Sequence, residues 1–276
     1  GDMIEVDGGV YVEDLVIGKG VKIVGAGSGT TTLTGSHVIS SSDVEIEGFT
    51  FITFGTTLVL DSSLETIDNI LIENNTFDLT SSPSVGIHFG GGSPAFEVSD
   101  VVIDNNIFNG PVSMVCNPWK IGGSFGSPLS VGIDDIDFIN NEVDHCSIPI
   151  NLYDEDVNDV LIDGNVFRDT DGVVYVWHDI ADPDGKLSRF VFTNNDVDGT
   201  NSYGVGIDTH LMFNDSNFGI GNKVNHNEFI GIDGKYGFGA VSLLSPVGSY
   251  ELDAEYNNWG SCDGPSDAGM GSGSNV

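Results

Sequence analysis

A short phrase of alternating apolar and polar residues that ends in two asparagines recurs along the 276-residue chain. Its clearest copies are Ile70–Phe77, which reads ILIENNTF, and Val101–Phe108, which reads VVIDNNIF. The second asparagine of successive copies stands at Asn75, Asn106, Asn141, Asn165, Asn195, Asn227 and Asn258. The intervals are 24 to 35 residues long. A repeat of that length is the signature of a solenoid, in which each repeat is one structural unit stacked on its neighbours.

Each copy of the phrase predicts a short strand followed by a corner. The alternation is that of a strand with one buried face. Asparagine accommodates the left-handed conformation of a tight corner, and its amide can form a ladder with the next coil. A second alternating run follows in most repeats, at residues 85–89, 148–153, 173–177, 203–208 and 239–243. Two or three strands per repeat, stacked about 4.8 Å apart, predict an all-β solenoid.

Both ends of the repeat region resemble a known family. Residues 4–25 resemble the first coil, and residues 256–265 (YNNWGSCDGP) the terminal coil, of right-handed parallel β-helices of the pectate-lyase-like superfamily. The resemblance covers about residues 4–265 and implies a single-stranded right-handed parallel β-helix of about eight or more coils. We therefore predict one β-helix domain at residues 1–266 and a Gly/Ser-rich tail or linker at residues 267–276. A β-sandwich would show hairpin turns every 8 to 12 residues, and propeller blades are longer, so neither fits.

The charge of the chain excludes several classes of partner. It carries 42 Asp and Glu against 8 Lys and Arg, for a formal net charge of −34. Nucleic acids and anionic membranes are bound through clustered basic residues, which this chain lacks. No apolar run approaches the roughly 18 residues of a membrane span, so we expect no membrane insertion.

The same composition predicts an extracellular or cell-surface protein. Salt screens the self-repulsion of a polyanion, so the acid surplus fits a saline or Ca²⁺-rich medium. An ordinary acidic secreted domain fits it equally well. Cys116, Cys146 and Cys262 cannot all pair and have no metal-binding spacing, which predicts buried small residues or free thiols.

The second runs predict an outward face that binds sugars. Their alignment places Asn151 with Tyr175 and Gly206, Tyr153 with Trp177 and Asp208, and Glu155 with Asp179 and His210, and it extends the face to His88 and Ser242. Aromatic rings stack on sugar rings, and polar groups bind hydroxyls. The predicted substrate-binding residues are His88, Asn151, Tyr153, Glu155, Tyr175, Trp177 and Trp119. The alternative is an aromatic stack that only stabilises the sheet.

Trp119 and Lys120 lie in the longest insertion, Asn117–Ser130. We expect this segment to form a loop, which either makes a wall over the sugar-binding face or packs only on itself.

Catalysis is a second hypothesis for this face. Asp179, Asp208 and His210 are the candidate catalytic residues, and the two aspartates are predicted to lie roughly 8 Å apart. That separation permits inverting glycoside hydrolysis, although solvated or Ca²⁺-binding acids explain it as well. The family resemblance implies, for lyases, an Arg or Lys base with Ca²⁺, and Arg168, Arg189, Lys120 and Lys186 are the candidates. Of the polygalacturonase motifs only an Asp-Asp pair, Asp134 and Asp135, is present.

Two turns are candidate Ca²⁺ sites. Asp169 and Asp171 in one turn, and Asp182 and Asp184 in another, place carboxylates at alternating positions, which suits the oxygen ligands of Ca²⁺. Solvated turns are the alternative, and Ca²⁺ is the one cofactor predicted. Asp208, His210 and His178 form an alternative transition-metal set, whereas His37, His145 and His226 are expected to be structural.

Three classes of function fit these features. The first is a noncatalytic surface module that binds a polysaccharide or cell-surface glycan, the second is a polysaccharide hydrolase or lyase, and the third is a structural spacer. The oligomeric state is open, because the end coils of a solenoid carry unpaired strand edges that can pair with another molecule.

Overall fold

A computed structural model describes residues 1–52, 55–80, 84–89, 97–110, 116–121, 133–147, 149–153, 157–177, 187–199, 203–208, 221–232, 241–244, 252–261, 265–266 and 273–275. The predictions for Glu155, His178, Asp179, Asp182, Asp184, Lys186 and His210 lie outside these residues.

The described strands form three parallel sheets of nine strands each, and the chain passes to the first, second and third sheet in turn. The first sheet contains Asp2–Val6, Val21–Gly25, Val44–Glu47, Ile70–Glu73, Val98–Asp104, Ile133–Ile139, Val157–Asp163, Leu187–Thr193 and Lys223–Asn225. The second contains Gly9–Val12, Thr31–Thr34, Thr50–Ile52, Thr76–Asp78, Ile107–Asn109, Glu142–Asp144, Val166–Arg168, Asp196–Asp198 and Glu228–Ile230. The third contains Val16–Ile17, His37–Ile39, Thr56–Leu60, Ser84–Phe89, Cys116–Ile121, Ile150–Tyr153, Gly172–Trp177, Tyr203–Asp208 and Val241–Leu244.

This architecture is a parallel β-helix, as the family resemblance implied. Two further short strands, Pro265–Ser266 and Gly273–Asn275, pair with each other near the C-terminus.

The core is a set of in-register columns that run along the solenoid. In the second sheet Phe51, Phe77 and Phe108 occupy equivalent positions in successive coils. Their rings are buried and lie 5.0 Å and 4.7 Å apart at their centroids. Because the coils are in register, each apolar side chain packs on its equivalent in the next coil, and burying such a column is the main stabilising contribution available to a solenoid.

The corner between the first and second sheets gives the two asparagines of the phrase separate roles. The first has a left-handed backbone, with φ of 55° at Asn140, and Gly164 takes this place in another coil with φ of 67°. The second is buried. The amide oxygen of Asn141 accepts the backbone N–H of Asn106 at 2.9 Å, and its amide nitrogen donates to the carbonyl of Ile103 at 2.8 Å. The predicted column of stacked asparagines is therefore confirmed.

The last position of that column differs from the prediction. Asn257, not Asn258, accepts the backbone N–H of Asn227, at 2.9 Å. Tyr256 takes the left-handed place that an asparagine holds in other coils, with φ of 61°. The terminal copy is thus displaced by one residue, because its left-handed residue is a tyrosine that the phrase does not identify.

Cys146 also corrects the sequence analysis. It is disulfide-bonded and buried, so the prediction that the cysteines are free thiols or simple apolar residues is wrong for this residue. The described residues include no helix that is long and apolar enough to span a membrane.

His37 is buried, as the structural role predicted for it requires. Only 1% of the residue is exposed, and its ring lies 5.5 Å from the ring of Phe51. Its Nδ1 accepts the backbone N–H of Leu15 in the preceding coil at 3.2 Å. Among the described residues its Nε2 has no hydrogen-bond partner. The neutral ring therefore joins the third-sheet strands of the first two coils.

We expect the protein to lose stability as His37 becomes protonated. Burial lowers the pKa of His37 below its ordinary value, and the charge of Asp14 opposes that shift in part. Since the unfolded chain binds the proton more readily, the contribution of His37 is complete above the unfolded pKa of about 6.5 and is lost as the pH falls below it. Protonation also removes the hydrogen bond from Leu15, which is worth about 1 kcal/mol.

The measurement compares the unfolding free energy of the wild type and His37→Leu at pH 7.5 and pH 5. The wild type should lose more stability than the variant over this range. His226→Asn, which changes a histidine at an outer corner, should behave like the wild type. An identical pH profile for the wild type and His37→Leu would contradict the prediction.

Candidate functional site

The strands of the third sheet contain the residues predicted to bind sugar, except Glu155, which lies outside the described segments. The strand register aligns Val59, His88, Lys120, Asn151, Tyr175, Gly206 and Ser242 in one column. A second column aligns Tyr153, Trp177 and Asp208. The predicted register of these two columns is therefore confirmed. The alternation of the second runs predicted it, because alternation determines which residues share a face.

Trp119 is placed differently from the prediction. It lies in the strand Cys116–Ile121, and its backbone pairs with Ile87 and Ile150, whose side chains are buried in the core. The prediction of a loop at this point is wrong. The sequence did not indicate this strand, because Pro118 interrupts the alternation of apolar and polar residues and proline is uncommon inside strands. Lys120 consequently holds a place in the outward column, between His88 and Asn151.

Three polar side chains of the first column are only partly exposed to solvent. His88, Asn151 and Tyr175 are all half-buried, and His88 and Tyr175 make further interactions within the protein. The amide oxygen of Asn151 is buried and has no hydrogen-bond partner among the described residues. An unpaired buried acceptor is uncommon in native proteins and calls for a donor from water or a ligand.

Of the predicted catalytic residues, only Asp208 lies in a described segment. It ends the strand Tyr203–Asp208 and pairs in register with Trp177 and Leu244. Asp179 and His210 lie outside the described segments. The separation of Asp179 and Asp208, and the hydrolysis inferred from it, stay predictions.

The two arginines considered as lyase bases lie on the other sheets. Arg168 is in the second-sheet strand Val166–Arg168 and forms an ion pair with Glu142. Arg189 is in the first-sheet strand Leu187–Thr193 and forms an ion pair with Asp159. Both arginines therefore belong to strands outside the third sheet, which contains the predicted sugar-binding face.

The corner that follows the second sheet brings together Asp144, His145 and Asp169. Asp144 Oδ1 lies 2.7 Å from His145 Nδ1, and Asp169 Oδ2 lies 3.7 Å from His145 Nε2. One ligand atom from each of the three residues lies within 4.8 Å of the others. Asp171, predicted to share Ca²⁺ with Asp169, lies 3.3 Å from the Ser147 hydroxyl, and that shared Ca²⁺ site stays a prediction. The two aspartates of that turn therefore have separate partners.

Sequence reasoning missed this histidine corner, although a signal for it exists. His145 and Asp169 each follow a ladder asparagine, Asn141 or Asn165, by four residues. Residues at the same offset from the ladder occupy the same corner of neighbouring coils. Counting from the ladder would have paired these two side chains.

A third group lies on the outer face of the first sheet, around Glu45, Glu47 and Glu73. Burial raises the pKa of Glu73, a hydrogen bond with Glu47 and the charges of Glu47 and Glu45 raise it further, and the charge of Lys22 opposes the shift. Lys22 hydrogen-bonds Glu45 and lies 3.3 Å from Glu47. A groove of 720 Å³ adjoins the group. Lys22 neutralises part of the negative charge of these glutamates, so the group already has a cationic partner within the protein.

Three parallel sheets with one strand per coil define the chain as a parallel β-helix. No family model and no curated protein matches its sequence.

Solved structures with a similar chain path include ORF18 of Geobacillus virus E2, with a TM-score of 0.49 and 11% identity over 92% of this chain and 54% of that one. The catalytic domain of a GH87 alpha-1,3-glucanase variant in complex with nigerose has a TM-score of 0.45 and 14% identity over 92% of this chain and 60% of that one. The alginate lyase AlyF-OU02 with G6 has a TM-score of 0.34 and 13% identity over 99% and 85% of the two chains. This chain spans less than two thirds of the first two structures, and similarity at this level does not support an inference about activity.

Proposed function

We propose that this protein binds a polysaccharide, outside the cell, along the outer face of the third sheet. The observation that carries the proposal is the straight outward column in which His88, Asn151 and Tyr175 are in register. Equivalent positions of neighbouring coils lie about 4.8 Å apart, so the column forms a linear array of polar and aromatic groups. A linear array is suited to an extended, repeating ligand.

The chemistry of the column favours a ligand rich in hydroxyl groups. Tyr175 offers an aromatic surface with a polar end, and the unpaired amide oxygen of Asn151 can accept a hydrogen bond from a sugar hydroxyl. With a net charge of −34, the protein repels polyuronates unless salt or Ca²⁺ intervenes. The proposed ligand is therefore a neutral polysaccharide or cell-surface glycan.

Two features support an extracellular location. The disulfide of Cys146 is of a kind that persists in oxidising compartments. The excess of acidic residues keeps a chain soluble in saline media, where its self-repulsion is screened. We therefore propose that the protein works in a saline medium.

We expect Tyr175→Asn to weaken polysaccharide binding about tenfold. Loss of the ring removes a stacking contribution of up to about 1.5 kcal/mol, and about 1.4 kcal/mol corresponds to a factor of ten in affinity. The measurement is affinity electrophoresis or calorimetry on a panel of neutral and acidic polysaccharides, at low and high salt and with Ca²⁺.

The matched control is Tyr256→Asn, because Tyr256 is 74% exposed and lies at the corner between the first and second sheets. This variant should bind as tightly as the wild type, and both variants should keep the wild-type melting temperature. Equal affinities for both variants, or no binding to any member of the panel, would refute the proposed face.

The same panel tests the alternative of hydrolysis or lyase activity. Release of reducing ends or of unsaturated uronates by the wild type, and its loss in Asp208→Asn, would assign catalysis to the predicted Asp179, Asp208 and His210 set. Binding without turnover would leave the face as a binding site alone.

A further inference from the structure

We propose that the histidine corner binds a divalent transition-metal ion between His145 Nε2 and the carboxylate of Asp169, with Asp144 orienting the imidazole. This inference does not depend on the proposed polysaccharide function, because the corner follows the second sheet and the sugar-binding residues lie on the third. It also replaces two expectations from the sequence, a structural His145 and a Ca²⁺ turn at Asp169 and Asp171.

The backbone holds the two proposed ligands at one corner of neighbouring coils. Both are in the left-handed region, with φ of 56° at His145 and 49° at Asp169. The N–H of His145 donates to the carbonyl of Arg168 at 3.0 Å, and the N–H of Asp169 donates to the carbonyl of Asp198 at 3.1 Å. The backbone positions of both residues are therefore set by hydrogen bonds between coils.

The contacts of His145 determine where its proton lies. The 2.7 Å between Nδ1 and Asp144 Oδ1 is a hydrogen-bond distance. An ionised carboxylate only accepts hydrogen bonds, so Nδ1 carries the proton. In a neutral ring, Nε2 then presents a lone pair. A carboxylate that orients a histidine in this way is a recurrent feature of metal sites.

That lone pair faces a second acceptor. Asp169 Oδ2 lies 3.7 Å from Nε2, which is too long for a direct hydrogen bond. A cation placed between these two acceptors would be bound by both. Metal bonds of about 2.1 Å at a tetrahedral angle place two ligand atoms about 3.4 Å apart. The observed separation differs from that value by a few tenths of an ångström, so a metal ion fits with little movement.

The donor atoms select the type of ion. Imidazole nitrogen with carboxylate oxygen suits Zn²⁺, Co²⁺ or Ni²⁺, whereas Ca²⁺ takes oxygen ligands only. Asp144 and Asp169 supply two negative charges, which match a divalent cation. Cys146 is disulfide-bonded and supplies no thiolate, and Arg168 is paired with Glu142, so neither interferes.

The test is a titration of the full chain with Zn²⁺ by calorimetry, in excess Ca²⁺ to occupy other surface carboxylates. We expect one Zn²⁺ equivalent per chain in the wild type. His145→Asn and Asp169→Asn should each lose that binding, and Asp144→Asn should weaken it about 10- to 100-fold. Asparagine tolerates a left-handed backbone, so these variants retain the geometry of the corner.

The matched control is His226→Asn, because His226 occupies another left-handed corner with φ of 59° and its ring stacks on Tyr256. It should bind Zn²⁺ as the wild type does. The visible spectrum of bound Co²⁺, with the bands of nitrogen and oxygen ligation and their loss in His145→Asn, provides a readout independent of stability.

Two results would overturn the proposal. If the wild type shows no saturable Zn²⁺ binding above the carboxylate background, the histidine corner is not a metal site. If His226→Asn loses as much binding as His145→Asn, the ion is bound elsewhere. Unchanged polysaccharide binding in His145→Asn keeps either result separate from the proposed function.

Discussion

Replacing Asn141 by alanine is expected to destabilise the protein by about 3 kcal/mol or more. Asn141 is 1% exposed and its side chain joins three coils. Its oxygen accepts the N–H of Asn106, and its nitrogen donates to the carbonyl of Ile103 and to Asn165 Oδ1. Alanine removes the acceptor of the buried Asn106 N–H and a donor to the Ile103 carbonyl, and each buried group left without a partner costs about 1 to 3 kcal/mol. The unfolding free energy from urea denaturation measures the loss.

The neighbouring residue provides the control. Asn140 has a left-handed backbone, and its side chain makes an exposed hydrogen bond to Asp104. Asn140→Gly should change the stability by less than about 1 kcal/mol, because glycine adopts positive φ without strain. Similar losses in the two variants would show that the paired asparagines do not divide the roles of corner and ladder.

Replacing Phe108 by alanine is expected to cost about 3 to 5 kcal/mol. Its side chain is fully buried, and its ring centroid lies 4.7 Å from that of Phe77 and 5.8 Å from that of Phe138. Alanine interrupts the aromatic column and leaves a cavity between coils that are held in place by their own strands. The loss of unfolding free energy is measured as a lower midpoint of denaturation by urea or heat.

Ile107→Ala is the matched control for this second prediction. Ile107 precedes Phe108 in the same strand but faces outward and is 39% exposed. Its truncation should cost less than about 1 kcal/mol, because little apolar surface is buried there. A larger loss at Ile107 than at Phe108 would mean that the strand is shifted by one residue, which exchanges the inner and outer faces.

The repeat predicted the columns of the third sheet because they depend only on the order of residues within each short strand. Alternation over a few residues determines which side chains share a face, and this placed Asn151 beside Tyr175 and Tyr153 beside Trp177. The prediction failed at Trp119, where a proline interrupts the alternation of a strand that pairs along its length. A local pattern cannot reveal a strand that exists because its neighbours on both sides supply the hydrogen bonds.

The sequence analysis missed the histidine corner for a related reason. A search for metal ligands at short spacing joined Asp169 to Asp171, two residues away in the same turn. The structure joins it to His145, which is 24 residues away in sequence but one coil away in space. In a solenoid, proximity depends on the offset from the corner and not on the length of chain between two residues.

The sequence by itself determined the solenoid, its period, and the separation of core from surface. These follow from residue types whose preferences act within a few positions: alternating apolar side chains, and asparagines that accept a left-handed backbone. The tertiary structure alone decided that Cys146 is in a disulfide and that Arg168 and Arg189 are ion-paired on other faces. Both ion pairs join different coils, and only the stacking of coils of unequal length determines which residues meet.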